Sequence, residues 1–322
     1  MSSRTPAPVG DATTSAGAAT PAGGHVVDPA GGCPHALNAE LRAQGSVADI
    51  VLPGGVPAAV VLGHDTLKEF LSHPDVAKDA RHCPALNDGT IPADWPLRVF
   101  ANAQGMHTAD GADHRRLRSL VGNAFTARQV ERLRPRIEEL TTGLLDDLAR
   151  AADEDPDGVA DLRTHNAVRA LCTHRDQLTL VLEGKATWAA VVDETLRWDG
   201  PVSWFPFRYP TRDLALGGSV IPQGTPVLAG YTAAGRDEDF HGPDADRFDI
   251  TRPGAARHLS FGHGAHYCVG APLARLEATI ALERLFTRFP DLELAVPEAD
   301  LPRQRSFIGN SVEALPVRPV RR

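Results

Sequence analysis

The most regular pattern of apolar positions in the sequence begins just after Thr126. Apolar side chains recur there at spacings of three and four residues, at Val130, Leu133, Ile137, Leu140, Leu144 and Leu148. This spacing places one apolar stripe along a helix, so it predicts an amphipathic α-helix that packs against a core. Thr126 and Gln129 match a capping box and mark the predicted start of that helix.

Shorter patterns predict the remaining elements. Two alternating, β-branched runs at 47–52 and 57–62 flank a Pro-Gly-Gly turn, which predicts a β-hairpin. Apolar residues at helical spacing predict a short helix around Leu37 and longer helices at 64–72, 166–182, 186–198 and 270–289. Stretches rich in Pro and Gly predict a long loop at 83–105 and a β-like region at 199–235. The sequence therefore predicts a mainly α fold with a minor β part.

Residues 1–32 differ in composition from the rest of the chain. Ala, Gly, Pro and Thr dominate this segment, and it contains no Leu, Ile or aromatic residue. Such a segment cannot bury enough apolar surface to offset the entropy that ordering would cost. We therefore expect a disordered tail over 1–32 and a single domain over 33–322.

Composition and charge narrow the classes of function. Of the 322 residues, 42% are hydrophobic and 23% are charged, which is ordinary for a globular protein. The formal net charge of −8 argues against binding to a nucleic-acid backbone. No apolar stretch approaches the roughly 18 residues of a membrane span. The four cysteines are scattered without a CxxC pair, so we expect reduced thiols and a cytoplasmic protein.

One glycine-rich segment carries candidate chemistry. It reads Phe261-Gly262-His263-Gly264-Ala265-His266-Tyr267-Cys268-Val269-Gly270, directly before the last predicted helix. Glycines allow close approach of a ligand to the backbone, and a helix N-terminus stabilises a thiolate, so the segment suits an iron–thiolate ligand. Two alternatives stay open: a small buried apolar side chain at Cys268 and a zinc site. The zinc ligands would be His258, His263, His266 and Cys268.

The segment resembles the haem-binding loop of the cytochrome P450 family, whose pattern is F-G-x-G-x-H-x-C-x-G. The resemblance implies a haem-thiolate domain that binds haem b, with Cys268 as the metal ligand on the haem iron. It further implies that His266 lies near a haem propionate and that Phe261 packs beside the sulfur. Gly262 and Gly270 would belong to the same cofactor-binding loop.

Other parts of the chain resemble further elements of that family, in the same order. The sequence His114-Arg115-Arg116-Leu117-Arg118 resembles the helix that presents His114 and Arg118 to the propionates. Arg208, after Pro206, resembles a third propionate ligand. Glu194 and Arg197 match the family's E-x-x-R pair, and the resemblance implies that Arg247 completes a buried structural triad with them.

One large departure concerns the side of the haem opposite the cysteine. Members of the family have lid helices and a central helix with an A/G-G-x-x-T motif before the E-x-x-R helix. Here the chain passes almost directly from Leu162 to Asn166, and the motif is absent. We therefore expect an internally shortened P450-like fold, with a deletion near 160–167 and no identified catalytic acid/alcohol pair. Thr164 and Thr173 are the candidates to take the place of that pair.

Three interpretations follow from the resemblance and the departure. The first is a haem-thiolate monooxygenase of secondary metabolism that oxidises a small hydrophobic natural product. Its electrons would come from a ferredoxin and ferredoxin reductase, or from peroxide. The second is a haem-binding but catalytically impaired partner or scaffold protein, and the third is a poorly folding remnant. Lost helices would expose apolar faces, so an oligomer that covers them is a further expectation.

Overall fold

The computed structural model describes residues 24–28, 33–162, 166–306 and 308–319, and within these ranges helices outnumber strands. The helices are α1 (Pro34–Arg42), α2 (His64–Ser72), α3 (Pro84–Asn87), α4 (Arg98–Asn102), α5 (Gly111–Gly122), α6 (Ala127–Glu131), α7 (Arg134–Glu154), α8 (Asn166–Thr173), α9 (Arg175–Leu182), α10 (Trp188–Asp199), α11 (Tyr231–Gly235), α12 (Glu238–His241) and α13 (Ala271–Arg288). The strands are β1 (His25–Val26), β2 (Val47–Leu52), β3 (Val56–Val61), β4 (Val76–Ala77), β5 (Ala160–Asp161), β6 (Trp204–Pro210), β7 (Leu214–Leu216), β8 (Ser219–Ile221), β9 (Val227–Gly230), β10 (Glu293–Leu294) and β11 (Pro316–Arg318). The predicted fold class, mainly α with a minor β part, is confirmed.

The largest sheet has the strand order β1-β2-β3-β9-β6-β4. Side chains of the central strand β3 alternate between its two faces, as the two-residue period of a strand requires. Ala58 and Val60 pack with α1 and the segment that follows α2, whereas Ala59 and Val61 pack with α2 and the β7–β8 hairpin. Because both faces are covered, β3 is an almost continuous apolar run.

The helical part of the chain has its own core, built where α7, α8, α10 and α13 meet. Its fully buried side chains include Leu171 of α8, Val191 of α10 and Phe286 of α13. The small sheet β10-β11-β5 closes one edge of this core. This half supports the segment that contains Cys268, because α13 begins three residues after that cysteine.

The long helix predicted after Thr126 is two helices. The Thr126 hydroxyl caps α6 by accepting from the Gln129 amide at 3.4 Å, as predicted. Pro135 then interrupts the helix, because its ring nitrogen has no N–H and its ring clashes with the preceding turn. The chain therefore starts a new helix, α7, at Arg134.

Part of the predicted apolar stripe does not face the core. Leu133, which precedes α7, and Leu140 and Leu144 are 43%, 50% and 67% exposed. The two ends of the stripe, Val130 and Leu148, are buried, whereas the middle of α7 is buried through Thr141 and Leu145 instead. The prediction was wrong about the middle of the stripe, since it assumed that every regular apolar position would find a partner. In the described part of the chain, α7 therefore has a second apolar face without a cover.

Most of the other predicted elements are present. The hairpin formed by β2 and β3, the helix α2 and the final helix α13 lie where the sequence predicts them. The predicted loop at 83–105 contains α3 and α4, and the helix predicted at 166–182 is divided at His174 into α8 and α9. No helix in the described ranges is both long enough and apolar enough to cross a bilayer.

Part of the predicted tail is ordered. Residues 24–28 include β1, which pairs in parallel with β2, and Val27 is only 2% exposed. One buried valine and the edge of an existing sheet therefore suffice to order a short segment of weakly apolar composition. The rest of the predicted tail, 1–23 and 29–32, lies outside the described residues.

A buried polar network fixes the start of α8, the helix that follows the shortened segment. Asp199 is 1% exposed and accepts hydrogen bonds from His35 Nε2 and Asn310 Nδ2, both at 2.7 Å, and from the guanidinium of Arg169. Burial acts to raise the pKa of Asp199, but these donors outweigh it and lower the pKa to about 2. The carboxylate is therefore charged throughout the ordinary pH range.

Asp199→Asn is expected to destabilise the fold at pH 7 by about 2–4 kcal/mol, because it removes the buried one of the two carboxylates that pair with the Arg169 guanidinium and leaves only Glu298, which is 39% exposed. A carboxyl whose pKa is depressed in the folded state stabilises the fold above its unfolded pKa. That contribution is lost as the pH falls from about 4 to about 2. Urea unfolding across this pH window measures the effect, with the exposed Asp94→Asn as the control. An unchanged acid transition in Asp199→Asn would contradict the assignment.

Candidate functional site

The cysteine-containing segment folds as a tight loop against the C-terminal end of α2. Cys268 N donates to Phe261 O at 2.8 Å, which closes the loop, and Gly262 N donates to Leu259 O at 2.7 Å. Gly262 and Gly264 have φ values of +77° and +71°, which side chains other than glycine rarely adopt. A Cβ at Gly264 would also lie 3.1 Å from the carbonyl oxygen of Leu71. These two glycines are therefore required by the turn and by its close packing.

Cys268 is exposed at the end of this loop, so the alternative of a small buried apolar side chain is wrong. Gly270 leaves space beside the sulfur, since its nearest neighbour to an added Cβ is Cys268 Sγ at 3.9 Å. The other thiols differ in their surroundings: burial raises the pKa of Cys83, and it raises that of Cys172 to about 12. Cys268 therefore stands apart from both as an accessible sulfur.

The four residues of the zinc alternative do not converge. His258 is buried and its Nε2 lies 3.4 Å from Asp193 Oδ1 and 3.2 Å from an Arg275 guanidinium nitrogen. His266 lies elsewhere, beside Asp110. Among the described residues, no group of three or more His, Cys, Asp or Glu side chains is placed to hold a metal ion. The geometry does not support the zinc site.

Phe261 forms one wall of the loop. The guanidinium carbon of Arg275 stacks over its ring at 4.6 Å from the centroid, and Arg275 is held in turn by Asp193 at 2.9 Å. The backbone carbonyl of Phe261 accepts the Cys268 amide. The backbone of Phe261 therefore contacts Cys268, and the packing of its ring beside the sulfur stays a prediction.

His114 and His266 are brought together from distant parts of the sequence. Their ring centroids are 4.1 Å apart, with His114 on α5 and His266 in the cysteine loop. Burial lowers the pKa of both rings, and each is further lowered by neighbouring positive charge. The Nε2 atom of His114 is buried and has no hydrogen-bond partner. Arg118, one turn along α5, lies close enough to lower the pKa of His114.

Arg208 adds a buried cation to the same region. It lies on β6, is 7% exposed, and its guanidinium makes no hydrogen bond or ion pair with the residues that the structure describes. Burial lowers its pKa, while Tyr231 and Asp110 act in the opposite direction. A buried guanidinium without a carboxylate partner is unusual, because its desolvation is not compensated. Arg208 is therefore poised to bind an anionic group.

Sequence reasoning missed three residues around Arg208. Lys78 is 6% exposed, and its Nζ donates to the carbonyl oxygens of Phe207 at 2.8 Å and Pro206 at 3.2 Å. Asp110 accepts from the backbone amides of Lys78 and Asp79. The hydroxyl of Tyr231 lies beside Gly262. For Lys78, the sequence offered one signal, which is the rarity of lysine. The chain contains only three lysines, and Lys78 is the one that directly follows a short apolar run.

The assembled residues fit a haem. A haem brings two carboxylates, and the site offers the unpartnered Nε2 of His114, the unpaired guanidinium of Arg208 and the nearby Arg118 and His266. It also brings an iron that needs an axial ligand, and Cys268 is an exposed thiol in a glycine-rich turn. The predicted cofactor-binding residues therefore lie in one region.

Two of the three residues in the predicted structural triad, Glu194 and Arg197, form the predicted buried pair. Glu194 and Arg197 are both fully buried, and two guanidinium nitrogens donate to the two carboxylate oxygens at 2.7 Å each. Arg197 also donates to the carbonyl oxygens of Gly235, Ala245 and Arg247 at 2.6, 2.7 and 2.9 Å. One ion pair thereby joins α10 to the segment that leads towards the cysteine loop.

The prediction that Arg247 is the third charged member was wrong. Its side chain is exposed and only its backbone carbonyl takes part, because Phe248 turns inward and fills the core. Arg252 takes the predicted place, with its Nε 3.6 Å from Glu194 Oε1 and its side chain 6% exposed. Both residues occur in the same short segment, and the sequence pattern alone does not choose between them.

The considered substitutes for the acid/alcohol pair find no support. Thr164 lies outside the described residues. Thr173 uses its hydroxyl within its own helix, donating to Arg169 O and Ala170 O at 3.0 and 3.1 Å. No catalytic residue is therefore identified on the side opposite the cysteine.

Comparisons with known proteins agree on one family. The model of the family described as Cytochrome P450 matches residues 188–308. The chain is 32% identical to the 2-hydroxy-5-methyl-1-naphthoate 7-hydroxylase of Streptomyces carzinostaticus, over 90% of this chain and 96% of that protein. It is 30% identical to the vitamin D(3) 25-hydroxylase of Pseudonocardia autotrophica, over 88% of this chain and 93% of that one.

Solved structures give the same result. CYP154C4 from Streptomyces sp. W2061 matches with a TM-score of 0.83 at 33% identity, over 92% of this chain and 97% of that chain. CYP154A1 from Streptomyces coelicolor A3(2) matches with a TM-score of 0.82 at 34% identity, over 92% of this chain and all of that chain. The alignment with the naphthoate hydroxylase spans 395 positions, more than the 322 residues of this chain. That relative therefore contains residues with no counterpart here.

Proposed function

Because the chain belongs to the cytochrome P450 family and is a monooxygenase of that type, we propose that it inserts oxygen into a C–H bond of a small hydrophobic natural product. The observation that carries the proposal is the exposed thiol of Cys268 together with the buried Arg208 and the unpartnered Nε2 of His114. The names of two relatives support the substrate class, since one is a naphthoate hydroxylase and the other a vitamin D(3) hydroxylase.

The bound cofactor is proposed to be haem b, which supplies the activation of oxygen at its iron. Cys268 would donate its thiolate sulfur to the iron, and the turn at Gly262 and Gly264 would keep side chains away from the macrocycle. His114 Nε2 and the guanidinium of Arg208 would each donate to a haem carboxylate. These two donors would thereby fix the orientation of the ring relative to the loop.

The buried pair of Glu194 and Arg197 contributes by holding the approach to the cysteine loop. Arg197 donates hydrogen bonds to three backbone carbonyls between residues 235 and 247, and Glu194 accepts a hydrogen bond from the backbone amide of Asp249 at 2.8 Å. These contacts fix the backbone that precedes the loop without touching the reacting atoms. We assign the pair a structural role.

We further propose that the chain is a P450 domain shortened between β5 and α8. Only residues 162–165 join β5 to α8. The naphthoate hydroxylase, whose alignment with this chain spans 395 positions, has residues with no counterpart here, and we place them at this junction. The exposed leucines of α7 support this position, because lost neighbouring helices would leave such a face uncovered.

One observation favours a second candidate, a haem-binding protein with impaired catalysis. The chain lacks the A/G-G-x-x-T motif, and the hydroxyl of Thr173 is engaged within its own helix. Proton delivery to bound oxygen would then depend on solvent rather than on a positioned side chain. Such a protein would take up haem and accept electrons, but it would consume these electrons without forming an oxidised product.

Turnover with a ferredoxin and its reductase separates the two candidates. The cytoplasmic monooxygenase that we propose consumes reduced nicotinamide in proportion to product, detected by mass spectrometry as substrate plus one oxygen atom. Peroxide in place of the electron donors tests the alternative oxidant. Consumption of reductant without product, for a panel of hydrophobic aromatic and polyketide-like compounds, would favour the impaired haem protein.

We propose that a second copy of this chain covers the exposed stripe of α7. Leu133, Ile137, Leu140 and Leu144 recur at spacings of four, three and four, which is the spacing of a helix–helix seam. The chain outside the described ranges contains no Leu or Ile, so it offers little apolar surface to cover the stripe. Two antiparallel α7 helices would bury the stripe of one copy against that of the other.

Leu144→Glu is expected to weaken self-association by about a hundredfold, because each copy loses one buried leucine and the pair loses two. Sedimentation velocity across a range of protein concentrations measures this change. Val220→Glu is a matched control, since Val220 is 66% exposed and Leu144 is 67% exposed, but Val220 lies on β8. A wild-type protein that stays monomeric at the highest concentration would contradict the proposed dimer.

A further inference from the structure

An irregularity in β6 determines where Arg208 lies. Strand β6 pairs with β9 at Phe205↔Ala229 and next at Arg208↔Val227, so the register shifts between Phe205 and Arg208 as it does at a β-bulge. Pro206 falls inside this shift and has no amide hydrogen to contribute to the ladder. Bulges of this kind change the direction of a side chain, and here the redirected side chain is the buried cation of the site.

Lys78 lies across this irregularity. It follows β4 directly, and its backbone amide leaves the sheet to donate to Asp110 at 2.9 Å. Its side chain crosses to β6, where Nζ donates to Phe207 O at 2.8 Å and Pro206 O at 3.2 Å. The ammonium also lies 5.1 Å from the centroid of the Phe205 ring. Lys78 therefore contacts the three residues that precede Arg208.

This ammonium is buried with little compensation from anions. Lys78 is 6% exposed, its hydrogen-bond and ring partners are two neutral carbonyls and an aromatic ring, and Asp110 is the carboxylate that acts on its charge. Buried lysines are rare because the charge loses its hydration. The second buried cation, Arg208, lies close enough to act on the charge of Lys78. Two cations buried together suit a site whose ligand brings negative charge.

We propose that Lys78 is a positioning residue for the haem carboxylates: its ammonium clamps the irregular turn of β6 and thereby fixes the direction of the Arg208 guanidinium. This inference rests on the proposed function, because it assumes that a haem binds beside Arg208. Lys78 acts through Arg208, and it is not assigned a direct contact with the haem.

The titration of Lys78 adds a pH dependence to this role. Burial and the neighbouring Arg208 lower the pKa of Lys78 to about 7, and Asp110 opposes them only in part. Without haem, the Lys78 side chain is therefore charged below pH 7 and loses its charge above pH 7. Haem carboxylates stabilise the ammonium, so binding takes up a proton above pH 7 and the affinity falls as the pH rises from 7 to 9.

Other charged groups around Lys78 do not titrate in this window. Asp110 has a pKa of about 2, and burial lowers the pKa of His266 from its ordinary value. Burial raises the pKa of Tyr231 and lowers that of Arg208, which starts from a much higher value. The part of the change in haem retention between pH 7 and 9 that disappears in Lys78→Met therefore reports on Lys78.

The experiment measures haem dissociation by transfer to excess apomyoglobin. Lys78→Met keeps the length of the side chain but removes its donors, and we expect dissociation about tenfold faster at pH 7. Because Lys78 acts through Arg208, the double variant Lys78→Met/Arg208→Met should lose haem no faster than Arg208→Met alone. Lys68→Met, on the exposed face of α2, is the matched control and should resemble the wild type.

Each outcome decides the proposal. The proposal is overturned if Lys78→Met retains haem as the wild type does. It is also overturned if the effects of Lys78→Met and Arg208→Met on haem dissociation are fully additive in the double variant. If Lys78→Met fails to fold by circular dichroism, Lys78→Arg decides, because a guanidinium stays charged from pH 7 to 9: loss of the wild-type pH dependence supports the clamp, and an unchanged pH profile overturns it. A wild type that takes up no haem removes the proposed function as well, whereas haem-loaded wild type with an ineffective Lys78→Met removes this inference alone.

Discussion

Cys268→Ser is expected to abolish the thiolate spectrum of the haem-loaded protein and to reduce monooxygenase activity by about two orders of magnitude or more. A serine hydroxyl is a weak donor that stays protonated at neutral pH, so it does not replace the electron donation of sulfur. The reduced carbon-monoxide complex should therefore absorb at the shorter wavelength typical of a neutral axial ligand. Haem itself is expected to remain partly bound through the residues that hold its carboxylates.

The control for this experiment is Cys33→Ser. Cys33 is the other exposed cysteine among the described residues, so both substitutions alter an accessible thiol. Cys33 lies at the start of α1, far along the chain from the glycine loop, and its variant should keep the wild-type spectrum and turnover. A Cys268→Ser protein that keeps the thiolate-type band would show that another cysteine binds the iron.

Arg197→Met is expected to destabilise the fold by about 3–5 kcal/mol and to release haem. The substitution leaves the carboxylate of Glu194 fully buried without its partner, and it removes the donors to three backbone carbonyls. Glu194 would keep only its more distant contact with Arg252 at 3.6 Å and the amide of Asp249. Urea unfolding of the haem-free and haem-loaded proteins measures the loss.

Arg150→Met is the matched control for the buried pair. Arg150 pairs with Asp147 at the same spacing of three residues on a helix, but both side chains are more than 60% exposed. Water already solvates these charges, so removing one leaves the unfolding midpoint unchanged. Equal effects of Arg150→Met and Arg197→Met would contradict the claim that burial gives the Glu194–Arg197 pair its importance.

Local features of the fold and site could be predicted from the sequence. The hairpin of β2 and β3 depends on alternation and a glycine turn, both of which are visible within residues 47–62. The cysteine loop is equally local, since its glycines are required by its own backbone. His114, His266 and Arg208 were predicted only through the resemblance to a family, and the structure brings them into one region.

Features that depend on distant packing could not be predicted. The choice between Arg247 and Arg252 depends on Phe248, whose inward position is decided by the helical core. Lys78 matters because β6 has an irregular register, which no local pattern indicates. The exposed stripe of α7 was misjudged for the same reason: periodicity shows that a face is apolar, but it does not show whether a neighbour exists to cover it.

The most direct test of the account is the absorption spectrum of the haem-loaded wild-type protein, reduced and exposed to carbon monoxide. We predict the long-wavelength band typical of a carbonyl haem bound to a thiolate, because Cys268 is exposed in a preformed loop and the buried Arg208 and the unpartnered Nε2 of His114 are available to the haem carboxylates. A band at the shorter wavelength, or no uptake of haem at all, would contradict the assignment of Cys268 as the iron ligand.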